Sequence, residues 1–259
     1  MPTAEPPRLV VNAVEGWGKT TIGAYAPKPA ILMARGETGY ATLANAGRVP
    51  VVPSAKVDSW GALLGMIDGL AADPQGIETL VLDALVGFEA LCHEHVCNRD
   101  FGGEWAEKGF LSFHKGYELG SKEWLILLAR LDRLRETHGV MVILLSHARV
   151  KPFKNPLGED FDRYEADAHH KTWGATAKWA DASLFGTFLT VVDKKPGEKT
   201  KGKGIGGTDR VVYTERRDGY DAKNRYGMRE SFLLSDNPAE SWGIIANEMK
   251  GQANASTNA

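Results

Sequence analysis

The chain has almost no net charge, little cysteine and no long apolar run, and each shortage removes a class of function. Its 31 Lys and Arg nearly balance 33 Asp and Glu. The formal charge of −2 gives no global pull toward nucleic acid or an anionic membrane, so any surface that binds either must be local. Two cysteines, Cys92 and Cys97, cannot build a disulfide framework. Met1–Pro7 lacks the apolar centre of a signal peptide, and no stretch approaches the length of a membrane span. The expected setting is therefore a reducing cytoplasm, with no membrane partner. Cys92-His93-Glu94-His95-Val96-Cys97 has the residue types of a zinc site. On a helix, however, Cys92 and His95 share one face and His93 and Cys97 another, so four ligands do not converge.

What is present is a phosphate-binding pattern. Ala13-Val14-Glu15-Gly16-Trp17-Gly18-Lys19-Thr20-Thr21 follows the apolar run Leu9-Val10-Val11 and leads into a helix-competent segment. Strand, glycine-rich loop and helix in that order are the setting that G-x-x-x-x-G-K-[ST] requires. Gly16 and Gly18 let successive N–H groups face phosphate oxygens, and the following helix adds its positive end. Lys19 is placed for the β- and γ-phosphates, and the Thr20 hydroxyl for Mg²⁺. The first position departs from the pattern, because Ala13 stands where glycine is usual. Lys19 is expected to be exposed and dispensable to the core.

Further along, apolar runs alternate with helical patterns. Strands are expected at Arg8–Asn12, Ala30–Ala34, Arg48–Val52, Thr79–Asp83, Val140–Leu145 and Ala182–Val192, the last paired with Arg210–Glu215. Helices are expected at Lys19–Tyr25, Ser59–Ala71, Leu85–Cys97, Tyr117–His138, Thr172–Trp179 and Pro238–Met249, with a long polar loop over Ala148–Lys171. This pattern predicts an α/β domain over residues 8–250. It has a mainly parallel central sheet, helices on both faces and antiparallel strands added late. Residues 1–7 read as a flexible start and 251–259 as a disordered tail.

Ligands on such sheets bind at the carboxyl ends of the strands, so the polar residues that follow apolar runs are the candidates for chemistry. Asp83 ends Leu80-Val81-Leu82 and suits the Mg²⁺ shell. Glu37 follows the second run and suits the orientation of an attacking water. His147, after Ser146, is placed to touch a γ-phosphate and report it to the next loop. Two basic segments suit contact with a nucleic-acid backbone. One is Lys194, Lys195, Lys199, Lys201 and Lys203, among glycines at a hairpin tip. The other is the loop with Arg149, Lys151 and Phe153, where acids between the cations reduce the attraction.

Taken together, Gly18-Lys19-Thr20, Glu37-Thr38-Gly39, Leu82-Asp83, Leu145-Ser146-His147, Trp179-Ala180-Asp181 and the string Tyr213-Thr214-Glu215-Arg216 … Asp221-Ala222-Lys223-Asn224-Arg225 resemble the phage-encoded RecA-like P-loop ATPases of single-strand annealing and recombination. The resemblance implies a RecA-like core that binds ATP and Mg²⁺. It also implies work on single-stranded DNA as a homo-oligomer or filament, alongside a single-strand-binding protein, with Lys223 and Arg225 as subunit-bridging cations. Two other readings stay open: a nucleotide-gated loader for replication proteins with little hydrolysis, and a P-loop kinase of small molecules.

Overall fold

Leu9-Val10-Val11, Ala30-Ile31-Leu32, Leu80-Val81-Leu82 and Val142-Ile143-Leu144 have no polar face to offer water, so each strand must be covered on both sides. In the computed structural model, which describes residues 5–193 and 203–250, they form the centre of a sheet. β1 (Arg8–Ala13), β2 (Pro29–Ala34), β3 (Ser54–Val57), β4 (Thr79–Asp83), β5 (Met141–Phe153) and β7 (Ala182–Asp193) run parallel in the order β7-β1-β5-β4-β2-β3. Beyond β7 lie the antiparallel β8 (Lys203–Tyr213) and β10 (Ser231–Leu233), and the two-residue β9 (Lys223–Asn224) also pairs with β7. Antiparallel strands thus follow late in the chain as expected, with β9 and β10 added to the one pair the sequence suggests.

Alternation along each strand divides the core into two. Leu9, Val11, Ile31, Val81, Ile143 and Leu145 pack with α1 (Lys19–Ala24), α2 (Gly39–Asn45) and α7 (Pro238–Lys250). Val10, Leu32, Leu80, Leu82, Val142 and Leu144 pack with α3 (Trp60–Ala72), α4 (Leu85–Phe101), α5 (Lys115–His138) and α6 (His170–Trp179). α3 starts where the Ser59 hydroxyl accepts the Ala62 N–H at 3.2 Å, and α5 stops at Gly139, which has a left-handed backbone with φ of 70°. Among the described residues, no helix is long and apolar enough to cross a membrane.

Three expectations are corrected. The strand expected at Arg48–Val52 is instead Ser54–Val57, because Pro50 and Pro53 lack the N–H a ladder needs. The stretch before it is loop, with the Val52 N–H donated to the Tyr40 hydroxyl at 2.7 Å. The polar loop expected over Ala148–Lys171 is largely a hairpin: β5 continues to Phe153 and turns back as β6 (Phe161–Ala166). Its polarity reflects exposure of the ribbon rather than lack of structure. The partner strand expected at Arg210–Glu215 begins earlier, at Lys203, and ends at Tyr213. At the start of the chain, the Pro6 carbonyl accepts from Arg135 Nε at 2.7 Å and the Pro7 carbonyl from the Val142 N–H at 3.1 Å. Residues 1–4 and 251–259 lie outside the described residues.

Candidate nucleotide site

At the carboxyl end of the sheet, β1 lies between β5 and β7, with Ala13 paired to His147 on one side and to Gly186 on the other. Ala13 is therefore an ordinary strand residue, which explains why the pattern tolerates alanine there. The special backbone comes later, at Gly16 with φ of 72° and Gly18 with φ of 105°, conformations that side chains rarely adopt. The loop between them is anchored by Trp17. Its ring is fully buried and its Nε1 donates to the Thr187 carbonyl at 3.0 Å. A Cβ on Gly186 would stand 2.5 Å from the Trp17 ring, so glycine at 186 is what lets the indole seat. The Trp17 side chain thus serves the loop from below, while Glu15 and Gly16 are exposed above.

The residues singled out for chemistry converge here. The Thr20 hydroxyl donates to Asp83 Oδ2 at 2.7 Å, joining the start of α1 to the end of β4. Glu37 Oε1 lies 3.9 Å from His147 Nε2, which joins the end of β2 to β5. Lys19 Nζ donates to the Ala13 and Val14 carbonyls at 2.8 and 3.0 Å. Lys19 is only 6% exposed, which corrects the expectation of an exposed side chain. The loop wraps over its own lysine, because the ammonium supplies the donor for carbonyls that turn inward as the strand ends.

Burial and charge tune these groups. Burial lowers the Lys19 ammonium to about 8, against the opposing pull of Asp83, Glu15 and Glu37. Burial raises the Asp83 carboxyl, although the bond from Thr20 works the other way. Glu37 is held below the usual carboxylate range by His147 beside it, with Lys19 adding to the effect. A carboxylate and a hydroxyl 2.7 Å apart offer hard oxygen donors of the kind Mg²⁺ takes while keeping waters and substrate oxygens for its other positions. Among the described residues, no three His, Cys, Asp or Glu are placed to hold a metal by themselves. Cys92 and Cys97 are buried, and burial raises the Cys92 thiol.

The other candidates are dispersed. Arg149 pairs with Asp167 at 2.9 Å and Lys151 with Glu165 at 3.8 Å, both across the base of the β5–β6 hairpin. Lys194, Lys195, Lys199 and Lys201 lie outside the described residues, and Lys203 opens β8. The expectation of bridging cations meets a different arrangement. Lys223 Nζ donates to the Ala177, Lys178 and Ala180 carbonyls at 2.9, 3.1 and 2.6 Å, closing the end of α6. Arg225 pairs with Asp181 at 3.2 Å. Both sit at the amino end of β7, across the sheet from the loop. Sequence reasoning missed Gly186 and Thr187, the seat of Trp17, and Arg210, which reaches the loop from β8. No local signal marks these three residues, because their role depends on strand pairing.

No curated protein matches the chain. The model of a protein family described as an AAA domain matches residues 5–226, a span that takes in the glycine loop, Glu37, Asp83 and His147. The chain belongs to that family and is an AAA-type P-loop ATPase domain.

Proposed function

We propose that this domain hydrolyses ATP with Mg²⁺ and couples the reaction to single-stranded DNA, as a RecA-like recombination or annealing ATPase acting in an oligomer. The observation that carries the ATPase half is the convergence of Lys19, Thr20, Asp83, Glu37 and His147 at one edge of the sheet. In this reading the loop N–H groups and Lys19 hold the phosphates, and Thr20 and Asp83 hold Mg²⁺. Bound Mg²⁺ supplies charge neutralisation for the phosphoryl transfer. Glu37, kept ionised by His147 and Lys19, orients water and accepts its proton. His147 sits where β5 continues into the β5–β6 hairpin, so a contact there feeds directly into a projecting element.

The DNA half is supported by placement. The strands on either side of β1 both continue into hairpins, β5–β6 and β7–β8. The pairing of Arg149 and Lys151 with acids favours a second reading, a nucleotide-gated module whose hairpins grip a protein. ATP turnover measured with and without single-stranded DNA separates the two. Stimulation by DNA supports the first reading, and nucleotide binding with slow, DNA-indifferent turnover supports the second.

A further inference from the structure

Arg210 belongs to β8, opposite Phe188 and beside the bulge that follows it in the β7–β8 ladder. Its Nη2 donates to the Ser235 carbonyl and to Ser241 Oγ, the latter at 3.2 Å. Ser241 is fully buried near the start of α7, and α7 packs on α1, the helix that leaves the phosphate loop. The other terminal nitrogen, Nη1, stands 2.9 Å from where a Cβ on Gly18 would be. The guanidinium therefore rests against the backbone of the loop's last glycine, immediately before Lys19.

Its partners differ from those of most other arginines described. Arg8, Arg35, Arg99, Arg130, Arg163 and Arg229 each face a carboxylate. Arg210, among the described residues, has only a carbonyl and a hydroxyl, neutral acceptors that orient a guanidinium without cancelling its charge. A half-buried, oriented cation with no carboxylate partner among the described residues, touching the backbone of the glycine loop, fits an anion as a further partner. A guanidinium offers a planar fork of donors, which suits two oxygens of a phosphate chain better than it suits one point charge.

We propose that Arg210 is a direct ligand of the polyphosphate held by the loop, positioned for that contact by Ser241 and the Ser235 carbonyl. The inference rests on the nucleotide reading of Gly16–Thr20. It adds a recognition element from the far hairpin and ties loop occupancy to β8 and α7. It also gives Gly18 a second reason to be glycine, since any side chain would displace the guanidinium.

The test is calorimetric titration of the full chain with Mg·ATP and, separately, with Mg·tripolyphosphate, which has no base or sugar. Arg210→Gln is expected to weaken both by the same factor, about tenfold or more for a charge-assisted contact. Arg210→Lys should lose about three- to tenfold, because it keeps the charge and not the fork. If the wild-type chain binds neither probe, the nucleotide reading fails and this inference falls with it. If wild type binds and Arg210→Gln stays within twofold on both probes, Arg210 alone is refuted. A loss on ATP without a loss on tripolyphosphate also overturns the proposal, since the contact is then to the nucleoside. Thermal melts accompany the titrations. Should Arg210→Gln not fold, Arg210→Lys decides, and affinities within twofold of wild type for both probes refute the contact.

Discussion

The two ends of the sheet use the same kinds of charged residue in opposite ways. At the amino end, charges close on one another. Asp181 takes Arg8 Nη2 at 2.8 Å, the Arg8 backbone N–H at 3.1 Å and Arg225 at 3.2 Å, while Lys223 is held by three carbonyls. Burial opposes ionisation of Asp181, but its bonds from Arg8 outweigh that and keep the carboxyl below its usual range. At the carboxyl end the charges are left in tension. Lys19 is desolvated among three acids, Asp83 is pushed up by burial, and Arg210, among the described residues, faces the loop without a carboxylate. Charge satisfied within the fold stabilises it, whereas charge left under-compensated in a cleft is available to a ligand.

The contrast is broken most sharply by exchanging the two lysines' fates. Lys19→Ala should weaken nucleotide binding about a hundredfold, the scale of removing a buried charge-assisted bond of about 3 kcal/mol, with thermal stability little changed, because relief of the buried ammonium's desolvation offsets the loss of its bonds to the Ala13 and Val14 carbonyls. Lys223→Ala should do the reverse. Binding should stay within twofold, while stability falls by about 1–3 kcal/mol as the end of α6 loses its donor. Calorimetry with ATP and thermal melts of both variants give the answer, and matching profiles for the two would dissolve the distinction.

A smaller effect follows from Lys19's acidity. Its folded value of about 8 lies below the ordinary 10.5, so the unfolded chain binds more protons between those values and stability rises with pH across that window. Ligand binding runs the other way. Phosphate needs the ammonium, so affinity for ATP should fall as pH climbs above about 8, by at most about tenfold per pH unit, with proton uptake on binding. Titrations at pH 7, 8 and 9 in buffers of different ionisation enthalpy measure both, and Lys19→Ala should abolish the pH dependence.

The smallest expected effect belongs to Lys199, Lys201 and Lys203. Replacing Lys199, Lys201 and Lys203 by Ala should lower the log–log salt slope of single-stranded DNA binding by about 0.7 for each phosphate that is no longer neutralised. ATP affinity should not change. An unchanged slope would move the DNA-binding surface to the β5–β6 hairpin or remove it.

Much of this architecture is legible in the sequence. The central parallel strands β1, β2, β4 and β5 announce themselves as continuous apolar runs, whereas the edge strand β3 does not, and the polar residue after each run marks the carboxyl edge of the sheet. Glu37, Asp83 and His147 stand out in that way from the sequence alone. The β5–β6 hairpin does not, because a ribbon exposed along its length has the composition of a loop. The burial of Lys19 is not legible either, since it depends on how the loop's carbonyls turn inward. Nor are Arg210 and Gly186, whose meaning arises only when β7 and β8 are laid beside the loop. For Lys223 and Arg225 the sequence string suggests reach toward a neighbour, while within the chain Lys223 closes the end of α6 and Arg225 pairs with Asp181.

In the proposed mechanism two acids at this edge divide the work, one supporting the metal and the other positioning water. Equilibrium binding and single-turnover hydrolysis of Mg·ATP by Glu37→Gln, beside Asp83→Asn, test it most directly. Glu37→Gln should bind ATP within about threefold of wild type and lose about 10²–10⁴-fold in hydrolysis, the range for removing a general base. Asp83→Asn should lose Mg²⁺-dependent affinity as well as turnover. Wild-type hydrolysis by Glu37→Gln, or the same loss of nucleotide affinity in both variants, would contradict it.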